Sequence, residues 1–194
     1  MSDGLVLSHG AGSNANAPLL VKVAEAFTAQ GMTVLRINLA FRQKRPNGPP
    51  PPGSKAADQA SIREAAETLR AAGCERVFIG GHSYGGRMSS MLAAEHPETA
   101  DGLLLLSYPL HAPTKSKLRD EHFPALRVPA LFVSGDRDTF GSPEELRASI
   151  AKIPGQAELS VVAGAGHDLK GGKFSVLEPV LVPFRRIFAT PATL

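Results

Sequence analysis

The sequence predicts an α/β protein: a doubly wound, mostly parallel sheet of about six strands with helices on both faces. Short apolar runs bounded by Gly, Pro, Asn or Asp alternate with longer segments of helical periodicity, in the order βαβα. Several of the short runs, such as LLLL at 103–106, are apolar at consecutive positions, as strands covered on both faces must be. At 194 residues the chain can bury about 70% of the surface its unfolded form exposes, so a single domain over 1–194 is expected.

The first strand is read at 5–8, followed by the turn His9-Gly10-Ala11-Gly12 and a helix over 18–30. The second strand is read at 33–39. RPNGPPPPGS at 45–54 cannot form a helix interior or a central strand, because its prolines lack donors and fix φ. It reads as a surface loop of polyproline type that bridges elements, in preference to a motif for an SH3-like partner. In the helix at 56–72, Ile62, Ala65, Ala66 and Leu69 make one apolar stripe at i, i+3, i+4 and i+7. Strands at 76–80, 103–107, 130–134 and 158–162 complete the six, with helices at 85–96, 143–152 and about 175–188.

Bulk properties exclude several classes. The single cysteine, Cys74, cannot form an internal disulfide. No basic leader with an apolar run opens the chain, and no stretch approaches the ~20 apolar residues of a membrane span. A cytoplasmic protein without a membrane partner is expected. The net charge of +3 invites an acidic partner. However, its basic clusters, FRQKRP (Arg42, Lys44, Arg45) and KSKLR (Lys115, Lys117, Arg119), are short and lack interleaved aromatics. They read as solvated faces, and no nucleic-acid partner is expected. No zinc-ligand cluster, Walker loop or G-x-G-x-x-G pattern occurs, so neither a metal nor an organic cofactor is expected.

The chemistry concentrates in FIGGHSYGGRMSS, 78–90. A strand running through G-x-S-x-G into a helix is the context of a nucleophile elbow. The turn forces Ser83 into a strained conformation, and Gly81 and Gly85 are needed because side chains there would collide with neighbouring elements. A serine hydroxyl also needs a base and an orienting carboxylate. FVSGDRDTFGSPEEL offers Asp136 and Asp138, and VVAGAGHDLK offers His167. Asp138 is preferred because it lies beyond the tight turn at Gly135, whereas Asp136 reads as stabilising that turn. Asp168 reads as a loop acid. The oxyanion donors would be the backbone of Tyr84 and of Ala11 or Gly12. His9 opens that turn and reads as organising it by hydrogen bonds. His9, Tyr108, Leu110 and His111 are the candidate pocket lining.

Together, the HG-x-G turn, GGHSYGG, GDRDTFGSPEE and GAGHDLK resemble the α/β-hydrolase superfamily. SYPLHAP and HFPALRVPALFVSG bring the chain closer to its small dienelactone-hydrolase-like branch. The resemblance implies Ser83 as nucleophile, His167 as base, Asp138 as acid, and an oxyanion hole from Tyr84 and the Ala11 region. Dienelactone hydrolases proper use cysteine where this chain has Ser83, so their specific reaction does not carry over. The resemblance also implies entry at the third of the usual eight strands. That would uncover an edge strand and favour a homodimer or short, polar edge chemistry. No insertion long enough for a helical lid follows the strand at 103–107, so 107–123 is the largest stretch available to roof a pocket. The expected activity is hydrolysis of an ester or thioester of a small acyl compound. The alternatives are a catalytically silent binding module, or peptidase or acyltransferase chemistry on the same triad.

Overall fold

A computed structural model describes residues 2–111, 117–170 and 175–189. Its six strands are β1 (Gly4–Ser8), β2 (Thr33–Ile37), β3 (Val77–His82), β4 (Gly102–Leu106), β5 (Ala130–Gly135) and β6 (Ala157–Val162). All pair in parallel, in the order β2-β1-β3-β4-β5-β6. The chain leaves β1 toward one edge and returns to build β3 on its other side, so the order reverses between β1 and β3. In open α/β sheets, ligands bind in the crevice beyond the strand ends at such a switch point. Here the register sets Ser8 beside Gly81, which brings the HGAG turn against the elbow.

The helices are α1 (Pro18–Thr28), α2 (Ala40–Lys44), α3 (Lys55–Ala71), α4 (Tyr84–Glu95), α5 (Pro143–Ile150) and α6 (Val182–Ile187). On one face, the stripe Ile62, Ala65, Ala66 and Leu69 of α3 joins Met88 and Leu92 of α4 over Val6, Ile79, Leu103 and Leu105. On the other face, Leu20 and Phe27 of α1 meet Phe184, Ile187 and Phe188 over Leu5, Leu7, Leu104 and Leu131. Phe27, Phe78, Phe184 and Phe188 pack there with ring centroids 4.5–4.9 Å apart. α5 begins with a capping box, in which the Ser142 hydroxyl accepts from Glu145 N and the Glu145 carboxylate accepts from Ser142 N.

The structure differs from the sequence reading at several boundaries. β3 extends two residues beyond the expected Gly80, because pairing continues on its β4 side as far as His82 opposite Leu106. β2 stops at Ile37, and Leu39 leads into the unforeseen α2, where Leu39 and Phe41 turn into the core. The terminal helix is not continuous. Leu177–Leu181 makes a wide π turn and only then does α6 follow. Pro179 and Pro183 each remove a donor there, so an unbroken α-helical ladder cannot run through.

The basic cluster at 41–46 is not uniformly a solvated face. Arg42 is buried, at 6% exposure. It donates to the carbonyls of Ala11, Ser13, Arg45 and Gly48, which ties the HGAG turn to the proline-rich loop. Most of that loop, 45–54, is exposed as read.

Candidate active site

Ser83 links β3 to α4 with φ 52° and ψ −114°, a region that residues with a side chain rarely occupy. Two packing constraints hold it there. A Cβ on Gly81, itself at φ +149°, would lie 2.0 Å from Ser8 O, and one on Gly85 would lie 2.5 Å from Ser8 Oγ. Glycine at both positions lets β1 press against the elbow. Ser83 N then donates to Leu106 O at 2.8 Å, and Arg87 N donates to Ser83 O at 3.0 Å.

The hydroxyl meets a histidine from the loop after β6. His167 Nε2 lies 2.9 Å from Ser83 Oγ. Its Nδ1 lies 2.9 and 3.0 Å from the two carboxylate oxygens of Asp138. A carboxylate facing Nδ1 fixes the proton on that nitrogen and leaves Nε2 free to accept from the serine. The Asp138 side chain is fully buried and also accepts from Phe140 N at 2.8 Å. The Phe140 ring stacks on the imidazole with centroids 4.3 Å apart. Asp136 turns elsewhere and accepts from Gly164 N at 2.8 Å, bracing the loop that carries His167. Asp168 is exposed and accepts from Lys170 N.

The model of a family described as "Alpha/beta hydrolase domain" matches residues 2–179. The chain belongs to this α/β-hydrolase family. Solved structures share the fold. The chain is similar to a dienelactone hydrolase from Anabaena variabilis, with 19% identity and a TM-score of 0.73, over 96% of this chain and 85% of that one. It is also similar to Est1E from Butyrivibrio proteoclasticus, solved with ferulic acid bound (16% identity, TM-score 0.79, 97% and 90% of the two chains). A third similar structure is an alpha-beta serine hydrolase homologue from Coxiella burnetii (20%, 0.69, 86% and 77%).

In this α/β-hydrolase the HGAG turn is organised by His9. Leu39 N donates to His9 Nε2 at 3.2 Å, so the ring proton sits on Nδ1 and is donated to Gly10 O at 2.8 Å. Burial pushes this histidine below its ordinary pKa and keeps it neutral. In a trans peptide the N–H points opposite to the preceding carbonyl. With Gly10 O held by His9 and Ala11 O by Arg42, the amides of Ala11 and Gly12 face away from those two anchors. A Cβ on Gly10 would lie 3.5 Å from Ser83 Cβ, so the turn borders the serine. Tyr84 opens α4, where the first amides have no intrahelical acceptor. The arrangement can therefore offer main-chain donors on two sides of Ser83.

Three of the four candidate lining residues are shut away from solvent. Tyr108, Leu110 and His9 are 0–1% exposed and present no wall to a ligand. Tyr108 packs against Phe123 and Phe132 and donates its hydroxyl to Arg119 O. Its phenol is pushed above the usual range by burial. Position just past a strand end does not say which way a side chain turns, and here the aromatic cluster took it inward. His111 remains partly exposed and pairs through Nε2 with Glu145 at 2.9 Å. Residues 112–116 of the expected roof lie outside the described residues.

Three residues around the site were not singled out by the sequence, and a fourth, Arg42, was read only as part of a solvated face. His82 donates from Nε2 to the main-chain carbonyl of His167 at 2.8 Å, and burial lowers its pKa. Asp58, fully buried, accepts from Phe41 N and from the Tyr84 hydroxyl at 2.7 Å. Burial and that carboxylate push the Tyr84 phenol up. Phe140 and Arg42 complete the set. Among the described residues, no group of three or more His, Cys, Asp or Glu is arranged to hold a metal ion.

Proposed function

We propose that the protein is a serine hydrolase that cleaves an ester or thioester of a small acyl substrate through an acyl-enzyme on Ser83. One observation carries this reading: the unbroken hydrogen-bond chain from Ser83 Oγ through His167 to the buried Asp138 carboxylate. Ser83 Oγ attacks the substrate carbonyl while its proton passes to His167 Nε2. Asp138 stabilises the imidazolium so formed, and amides of Tyr84 and of Ala11 or Gly12 receive the oxyanion. His167 then delivers the proton to the departing alcohol or thiol. Water, activated by the same imidazole, attacks the acyl-enzyme and regenerates the serine.

The test is labelling with a fluorophosphonate probe, which modifies only an activated serine. Wild type and Asp136→Asn should label, whereas Ser83→Ala and Asp138→Asn should not. A folded wild type that fails to label would overturn the reading. Labelling lost in Asp136→Asn but kept in Asp138→Asn would overturn the choice of acid. An ester and thioester panel follows a positive result.

A further inference from the structure

Arg87 stands on α4 one turn beyond Ser83, with its amide bonded to the Ser83 carbonyl. Four residues rise about 6 Å along the axis, and long helical side chains lean back toward the N-terminus. Its stem therefore leans toward the elbow. The side chain is 20% exposed, yet its Nε is buried with no hydrogen-bond partner. The nearest carboxylate oxygen, Glu121 Oε1, stands 3.6 Å from Nη2, and that Glu121 side chain is 46% exposed. This is an ion-pair distance too long for a hydrogen bond. A buried Nε–H without an acceptor is costly, unless something else supplies the oxygen.

A second arginine shares the neighbourhood. Arg119 is anchored by main-chain bonds, its N–H to Leu110 O and its carbonyl to the Tyr108 hydroxyl. Burial and then the positive charge of Arg87 hold its guanidinium below the ordinary value. The two positive charges thus act on each other, and Glu121 faces Arg87. His122 does not add to them, because burial drives it down to about 4 and leaves it neutral at pH 7. Lys117, exposed on the same segment, adds positive field at the surface.

We infer that Arg87, with Arg119 beside it, is a specificity site for an oxyanion carried by the substrate, a carboxylate or a phosphate about one helical turn from the reacting carbonyl. The inference rests on the hydrolase reading above for its position in the reaction. The arginine fork matches the paired oxygens of either group. An acyl chain of four or five carbons ending in a carboxylate spans the separation. The competing account is a structural ion pair between Arg87 and Glu121, which predicts no ligand.

Two measurements separate these accounts. In the first, glutarate, neutral glutaramide and inorganic phosphate are titrated against wild type, Ser83→Ala, Arg87→Gln and Arg119→Gln, followed by calorimetry. Binding of glutarate or phosphate, but not glutaramide, is expected to wild type and Ser83→Ala, weakened roughly ten- to hundredfold in Arg87→Gln. In the second, kcat/KM is compared for p-nitrophenyl hemiglutarate and p-nitrophenyl pentanoate. The ratio of the two should fall by a similar factor in Arg87→Gln, and less in Arg87→Lys, which keeps the charge but not the fork. If Arg87→Gln does not fold, Arg119→Gln and Arg87→Lys carry both comparisons. Anion binding that is absent from wild type, or unchanged in these variants, overturns the inference. Arg87-dependent anion binding without cleavage of any ester would sink the hydrolase reading and leave the anion site standing. Cleavage without preference between the esters would do the reverse.

Discussion

His82 and His167 are joined through the main chain: Nε2–H of His82 donates to the carbonyl of His167 across 2.8 Å, with the rings 5.2 Å apart. The residue before Ser83 thus holds the backbone of the proposed base. The bond clamps the elbow to the loop after β6, and the depressed pKa of His82 keeps it neutral. His82→Ala removes the donor and frees the His167 loop. The rate of fluorophosphonate labelling should fall roughly ten- to hundredfold, the scale on which small misplacements of reacting groups act. His82→Gln, whose amide can donate, should recover part of the loss. Equal rates in His82→Ala and wild type would show that the loop holds its geometry unaided.

Arg42 makes a comparable clamp on the opposite side. Its guanidinium satisfies carbonyls of Ala11 and Ser13 in one loop and of Arg45 and Gly48 in another. Arg42→Ala strands those acceptors and lets the HGAG turn reorient. Hydrogen bonds to a charged group contribute about 1.5–3 kcal/mol each where they are well buried, so urea denaturation should show a loss of several kcal/mol at most. The loss should be joined by faster proteolysis within 45–54. Because the turn also carries the proposed oxyanion amides, turnover in an ester assay should fall in kcat more than it rises in KM. A variant with wild-type proteolysis would place the ordering of the loop elsewhere.

How much of this was legible in the sequence depends on how local each cause is. Ser83, Asp138 and His167 each stand just beyond a parallel strand among glycines or turn residues, and parallel strands deliver such residues to one edge of the sheet. Their proximity was therefore readable from element order. The destination of Arg42 was not, because its acceptors come from loops some thirty residues apart in sequence. Within a charge run it looks like its neighbours Lys44 and Arg45. α2 spans only five residues, too few for periodicity to register. Tyr108 and Leu110 had the right location and the wrong direction, since an aromatic cluster distant in sequence decides where they point.

Acid should unfold the protein earlier than its carboxylates alone would require. His9, His82 and His122 all have pKa values lowered by burial, His122 to about 4. In the unfolded chain each returns to an ordinary value near 6.5. A histidine depressed in the folded state adds stability that is present above the unfolded pKa and is lost as pH falls toward the folded one. Between pH 6.5 and 4 the unfolded state binds protons that the folded state refuses. For His122 alone, this is on the order of 3 kcal/mol. Denaturation curves should show stability falling across that window, and His122→Gln, which keeps a donor for Ser90 Oγ, should flatten the slope. An unchanged slope would show that His122 is already protonated in the fold.

The strain at Ser83 gives the last prediction. Its φ of 52° with ψ −114° is imposed by the close approach of β1 and α4 to the elbow, and conformations of this kind cost about 1–3 kcal/mol for a residue with a Cβ. Ser83→Ala keeps the Cβ and so keeps the strain. Ser83→Gly removes it, at the expense of about 0.5–1 kcal/mol of extra entropy in the unfolded chain. The strain exceeds that expense, so Ser83→Gly should be the more stable of the two by about 1 kcal/mol, although neither can form an acyl-enzyme. Comparing the variants with each other cancels the lost hydroxyl and isolates the backbone. Paired urea denaturations read the difference directly. A glycine variant no more stable than the alanine variant would mean that the elbow relaxes when its serine is gone, and that the strained conformation is held by the hydroxyl's bond to His167 rather than by β1 and α4.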